Sequence, residues 1–106
     1  MKFYRVKTGY GKDEFISVSE TELQVAIRAQ ITGKVGVFNE GTISGNHIIS
    51  ITPDFQRAMG YHRDYQLQGE DYEQIGKIVV NEHREFFQNV KSEVLAQLDD
   101  GVKRLN

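Results

Sequence analysis

The stretch from Gly33 to Gly60 constrains the fold more than any other. Two β-rich runs, Lys34–Asn39 (KVGVFN) and His47–Thr52 (HIISIT), flank a Gly-rich connection. Each run carries β-branched residues and is bounded by turn formers, the pattern of paired strands. Asn39-Glu40-Gly41 and Gly45-Asn46 mark turns, and Ile43 between them is placed for a short edge pairing. Gly36 inside the first run signals a bulge or a close backbone approach. Pro53 has no N–H for a ladder, so the second run ends there. The stretch reads as a compact antiparallel unit and carries no reaction.

A hairpin precedes this unit. Lys2–Thr8 (KFYRVKT) alternates, with Tyr4 and Val6 on the expected inner face and Phe3, Arg5 and Lys7 on the other. Gly9-Tyr10-Gly11-Lys12-Asp13 is a turn, and Glu14–Val18 is the return strand. Ser19 and Glu22 then have the spacing of a capping box. Leu23, Ala26, Ile27 and Ile31 repeat at helical spacing, and Gly33 is a natural terminator, so a helix is expected over about Glu20–Thr32. Its stripe is expected to bury Leu23, Ile27 and Ile31 against Tyr4, Val6, Val37 and Ile49 or Ile51.

After Pro53 the pattern turns helical. Asp54 is placed to cap a short turn over Phe55–Met59 that Gly60 closes. Tyr61–Gly69 reads as a loop and Glu70–Ile75 as a helical start. A long helix is expected from about Lys77 to Leu98 or Asp100, ended by Gly101. Along it Val80, His83, Phe87, Val90 and Val94 fall at alternating three- and four-residue steps. The fold class that follows is α+β: an antiparallel sheet in ββαββ order with one packed helix, then a long C-terminal helix. At 106 residues the chain is one domain, with residues 1–60 as the core, 61–76 as loop and short helix, and 77–100 as the last helix.

Composition excludes several function classes. No cysteine means no disulfide framework and no thiolate zinc site. The longest apolar run is Ile78-Val79-Val80, far short of the roughly 20 residues that span a bilayer. The N-terminal MKFYRVKTGYGK lacks the apolar segment of a signal peptide, so a cytoplasmic protein without membrane contact is expected. The net charge is −2, which gives no basic footprint for a nucleic-acid duplex.

The candidate chemistry is sparse. His47, His62 and His83 are spread over strand, loop and helix with no ligand spacing among them, so no metal is expected. Gly9-Tyr10-Gly11-Lys12 matches neither phosphate-loop pattern and joins two strands, although its backbone N–H groups, Tyr10 and Lys12 could meet an anion. Glu70, Asp71 and Glu73 suit a helix N-terminus better than acid–base work, which needs carboxyls with separated pKa values. The densest binding candidate is Arg57, Tyr61, His62, Arg63 and Tyr65. Guanidinium groups fork onto phosphates or carboxylates, and tyrosines stack or fill interfaces. The plainer reading pairs these arginines with Asp54 and Asp64 on a solvated loop.

A broader pattern carries a resemblance. It runs through Tyr4-Arg5-Val6-Lys7, Gly9-Tyr10-Gly11-Lys12-Asp13-Glu14-Phe15, Glu20-Thr21-Glu22-Leu23, Thr32-Gly33-Lys34, Val37-Phe38, Ile48, Ile51, Pro53-Asp54, Met59-Gly60, Tyr65, Leu67 and Glu70-Asp71. In these segments, about the first three-quarters of the chain, it resembles small uncharacterised proteins of tailed phages and related bacterial mobile elements. The resemblance implies a phage or prophage origin, action in the bacterial cytoplasm, and an accessory or host-directed (anti-defence) role. It implies no activity and no catalytic residue.

The expected function is non-enzymatic: an inhibitor or sequestering protein that binds a host protein or a small anionic, nucleotide-like ligand, with no cofactor. A nucleic-acid-binding regulator using the Arg57–Tyr65 loop is the alternative. The stripe Val80, His83, Phe87, Val90 and Val94 is expected to pack partly on the chain's own sheet and partly to mediate homo-oligomerisation, because a 20-residue apolar stripe is long for one small sheet to cover.

Overall fold

A computed structural model describes residues 2–9, 13–63 and 70–105, and side chains within 2–9, 14–60 and 73–99. The order is β1 (Phe3–Gly9), β2 (Asp13–Ser19), α1 (Leu23–Thr32), β3 (Val35–Phe38), β4 (Gly41–Ser44), a 3₁₀ turn (Gly45–His47), β5 (Ile48–Pro53), α2 (Phe55–Arg63) and α3 (Glu70–Leu105). The fold is α+β, with antiparallel strands, a packed helix and a long C-terminal helix. The strands form two sheets rather than one. β1 is the centre of a three-stranded sheet in the order β2-β1-β5, and β3 and β4 form a separate two-stranded sheet.

The alternation of β1 decides what covers that sheet. Tyr4 and Val6 point inward and are fully buried, opposite Val18 and Ile16 of β2 and Pro53 and Ile51 of β5. α1 brings Leu23, Ala26, Ile27 and Ala29 onto them, and α3 adds Val94. Ile31 and Val37, expected inside, are 40% and 70% exposed. Ile31 lies in the last turn of α1, beyond Ala29, the last of its buried positions. Val37 lies on the outward side of the β3–β4 ribbon, whose inward side is Phe38 and Gly36. Gly36 is the close approach rather than the bulge: a Cβ there would stand 3.1 Å from that of Ala29. The register shift falls instead between β1 and β5, where Lys7 faces Ser50 and Thr8 faces Ile48, leaving Ile49 over.

Two glycines fix the α1–β3 corner. Gly33 ends α1 at φ +73°, and its N–H donates to the Ala29 carbonyl. Gly45 is pressed so close that a Cβ would overlap the Ala29 carbonyl oxygen. The start of α1 differs from expectation. Glu22 is its N-cap and no side chain caps it. Ser19 Oγ bonds Thr21 Oγ1 instead, at 2.8 Å, and Glu22 Oε2 accepts the Asn39 N–H at 2.8 Å.

Asp54 caps α2 as expected, its Oδ1 accepting the Arg57 N–H at 3.2 Å. Gly60 does not close that helix, which continues to Arg63. Glu70–Ile75 and the long helix are one element, and α3 runs past Gly101 to Leu105. At about 1.5 Å per residue its 36 residues account for the 55 Å longest dimension. No described helix is long and apolar enough to cross a membrane.

Candidate functional site

α1 and α3 cover one face of the three-stranded sheet; among the described residues no helix or strand packs across the other. The β1–β2 register places Phe3, Arg5 and Lys7 on it, with Ser17 opposite Arg5 and Phe15 opposite Lys7. Phe15 is 47% exposed. The Arg5 guanidinium lies 4.2 Å from the centre of the Phe15 ring, and Lys7 Nζ is 6.0 Å from it. At the other end Arg57 reaches in from α2 and stacks 4.1 Å from the centre of Phe3. Arg57 Nη1 also donates to Ser17 Oγ at 2.7 Å, and Ser17 Oγ donates to Asp54 Oδ2 at 3.1 Å.

Three cations and one carboxylate therefore share an open surface, with two guanidinium groups each laid on a phenyl ring. Stacking restricts a guanidinium without using its N–H groups; Arg57 commits Nη1 to Ser17, and its other N–H groups and those of Arg5 can meet an oxyanion. Ser17 stands between the two stacks, so both arginines border the same position. Such a surface can hold an anion by geometry as well as by charge.

Of the expected binding residues, Arg57 alone has a described side chain. Arg57 is in the site, but through the sheet face rather than a loop, and its guanidinium reaches Asp54 through Ser17 rather than as the ion pair of the plainer reading. Tyr61, His62 and Arg63 lie in α2, where their side chains are outside the described set. Tyr65, Tyr10 and Lys12 are outside the described residues. Phe3, Arg5 and Lys7 were assigned to the outer face by alternation but not read as a site. The signal was available: pairing the hairpin in register sets Arg5 beside Ser17 and diagonal to Phe15.

The α3 stripe packs on the core of its own chain, the intramolecular half of what is expected of it. His83 and Val94 are buried in this chain, 3% and 2% exposed, and Phe87 and Val90 pack against the same core. Val80 is half-buried. His83 is a structural tie: its Nε2 accepts the Phe3 N–H at 3.1 Å, which puts the ring proton on Nδ1, and Nδ1 donates to the Val79 carbonyl at 2.7 Å. The Tyr4 hydroxyl donates to the His83 carbonyl at 2.6 Å. Burial, and secondarily the charge of Glu20, raises the Tyr4 pKa from 10.0 to about 12. Among the described residues no group of three or more His, Cys, Asp or Glu is placed to hold a metal ion. No protein family, curated protein or solved structure matches this chain.

Proposed function

We propose that the protein is a non-enzymatic binding protein that takes a small polyanion on the open face of β2-β1-β5. The observation that supports this most is the pair of stacked guanidiniums, Arg5 on Phe15 and Arg57 on Phe3, bordering Ser17 beside Lys7. Arg5, Lys7 and Arg57 meet here in a chain whose net charge is −2, so the attraction is local rather than a general basic footprint. Nucleic-acid duplexes suit it poorly for that reason. A ligand with two phosphate or carboxylate groups suits it well, one group for each fork. In a phage-derived context, sequestration of such a ligand is the role that fits.

The test is calorimetric titration with ATP, AMP and inorganic pyrophosphate at low and physiological salt. ATP and pyrophosphate are expected to bind more tightly than AMP. Arg5→Lys and Arg57→Lys should each weaken them roughly tenfold or more, because charge is kept and the fork is lost, worth about 1.5–3 kcal/mol for a charge-assisted bond. Absence of binding by all three probes, or binding indifferent to both substitutions, would overturn the assignment.

A further inference from the structure

We propose that the polyanion is a purine nucleotide whose base lies at the Lys7 end of the open face, against Phe15 and Ile49; this rests on the binding face inferred above and names its occupant. Strict alternation along β5 would put Ile49 and Ile51 on one side of the sheet. The register shift between Lys7 and Thr8 breaks that parity. Ile48 is buried and Ile51 packs on the same core, whereas Ile49 is left 56% exposed. A Cβ on Gly9 would stand 2.7 Å from Ile49 Cδ1. Gly9 continues the outward alternation of Phe3, Arg5 and Lys7, so Ile49 lies on the open face, over a position with no side chain of its own. Bulges re-aim side chains in this way beside binding and active sites. Phe15, on the opposite side of β1, also stays exposed although Arg5 covers one face of its ring. Two large apolar side chains thus flank the Lys7 end of β1.

A nucleotide matches this layout where simpler polyanions do not. Arg5 and Arg57, on either side of Ser17, offer N–H donors to phosphate oxygens. Ser50 and Thr52 of β5 pair with Lys7 and Arg5, so their hydroxyls lie on the same face, where a sugar follows the phosphates. The base then reaches the apolar pair. Pyrophosphate or a dicarboxylate leaves Phe15 and Ile49 in water. A base ring covers them and can stack on aromatic or guanidinium planes, and the larger purine covers more. From Phe3 to Gly9 β1 spans about 20 Å, at roughly 3.3 Å per residue, which is room for a triphosphate and its nucleoside laid along the strand. The Asp54 carboxylate borders the Arg57 end and repels a further phosphate there. The face therefore suits one nucleotide rather than a nucleic-acid strand.

The test is calorimetric titration at low salt with inorganic triphosphate, the four ribonucleoside triphosphates and a short oligoadenylate. ATP and GTP are expected to bind about tenfold or more tightly than triphosphate, the worth of one stacked base, with CTP and UTP weaker than both. Ile49→Ser should bring ATP to the level of triphosphate and leave triphosphate binding unchanged. The position is exposed, so unchanged thermal melting of the variant shows that the fold is kept. In the native chain, intermolecular nuclear Overhauser contacts should join the adenine protons to the Ile49 methyls and the Phe15 ring, a readout that needs no variant. Triphosphate bound as tightly as ATP would overturn this inference and leave the polyanion reading standing. No binding by any probe would overturn both. Adenine contacts that miss Ile49 and Phe15, or an Ile49→Ser chain that binds ATP as the native chain does, would place the base elsewhere and overturn it. So would an oligoadenylate bound more than about tenfold more tightly than ATP, the behaviour of a face for single-stranded nucleic acid.

Discussion

Tyr4 does three things at once at the centre of the sheet. Its ring fills the core, tilted against His83 and Phe87 at centroid distances of 5.3 and 6.4 Å. Its hydroxyl holds the His83 carbonyl, and its burial resists ionisation. The folded state favours the neutral phenol, so this contribution is complete below about pH 10 and lost as pH rises toward 12. Between those values the unfolded chain ionises first, which favours unfolding by about 1.4 kcal/mol per pH unit, or roughly 2–3 kcal/mol across the window. Tyr4→Phe loses only the hydrogen bond, about 0.5–1.5 kcal/mol at neutral pH. Urea melts of the two proteins should therefore cross, with the native chain more stable at pH 7 and the variant more stable near pH 12. Parallel curves at all pH values would show that the phenol is not shielded.

The start of α1 shows where local spacing misleads. Ser19 and Glu22 have capping-box spacing, yet Ser19 is the last residue of β2 and bonds Thr21, while Glu22 is drawn to the β3–β4 turn through Asn39. A motif four residues long cannot see a turn 17 residues downstream. Ser19→Ala is accordingly expected to change stability by under about 0.5 kcal/mol, the ordinary surface value, rather than the 1 kcal/mol of a lost cap. Glu22→Ala should cost more, about 0.5–1.5 kcal/mol, because it frees the Asn39 N–H. The ranking is read from chemical denaturation midpoints, and the reverse order would restore the capping box. Elements defined by period were more legible. Tyr4, Val6, Leu23 and Ile27 were placed inside by alternation and helical spacing, and they are inside. Gly33 ended α1 for a backbone reason any sequence shows. Gly60 and Gly101 did not end their helices, because a glycine lowers helical preference by only about 1 kcal/mol and packing can override it. The split into two sheets was hidden, since strand runs do not name their partners. The site is legible only in fragments: the sequence singles out Arg57 beside residues whose side chains lie outside the described set, and Arg5 requires the hairpin register.

At the scale of the molecule, α3 joins two cores. Val94 enters the cluster under the sheet, and Val79 enters a smaller one with Ala58 and Met59 of α2. His83 lies between them and pins the helix to Phe3 and Tyr4 of β1. β1 in turn holds α2, because the Asp54 N–H donates to the Phe3 carbonyl at 2.8 Å and Arg57 stacks on the Phe3 ring. The small cluster thus cannot open without disturbing the helix and strand that organise the large one. Met59 is fully buried there. Met59→Ala should cost about 2–5 kcal/mol, the range for truncating a packed Met. That loss should appear in the whole chain rather than in α2 alone. Urea unfolding followed by helical circular dichroism and by the near-ultraviolet signal of the tyrosines should shift to a lower midpoint together, as one two-state transition. If the substitution left the tyrosine signal in place while part of the helical signal was lost early, α2 would be an independent appendage. Its Arg57 would then be held on the open sheet face only by the stack on Phe3 and the Ser17–Asp54 network. The coupling through His83 argues for the single transition, and with it for a binding face whose two halves are fixed by the same core.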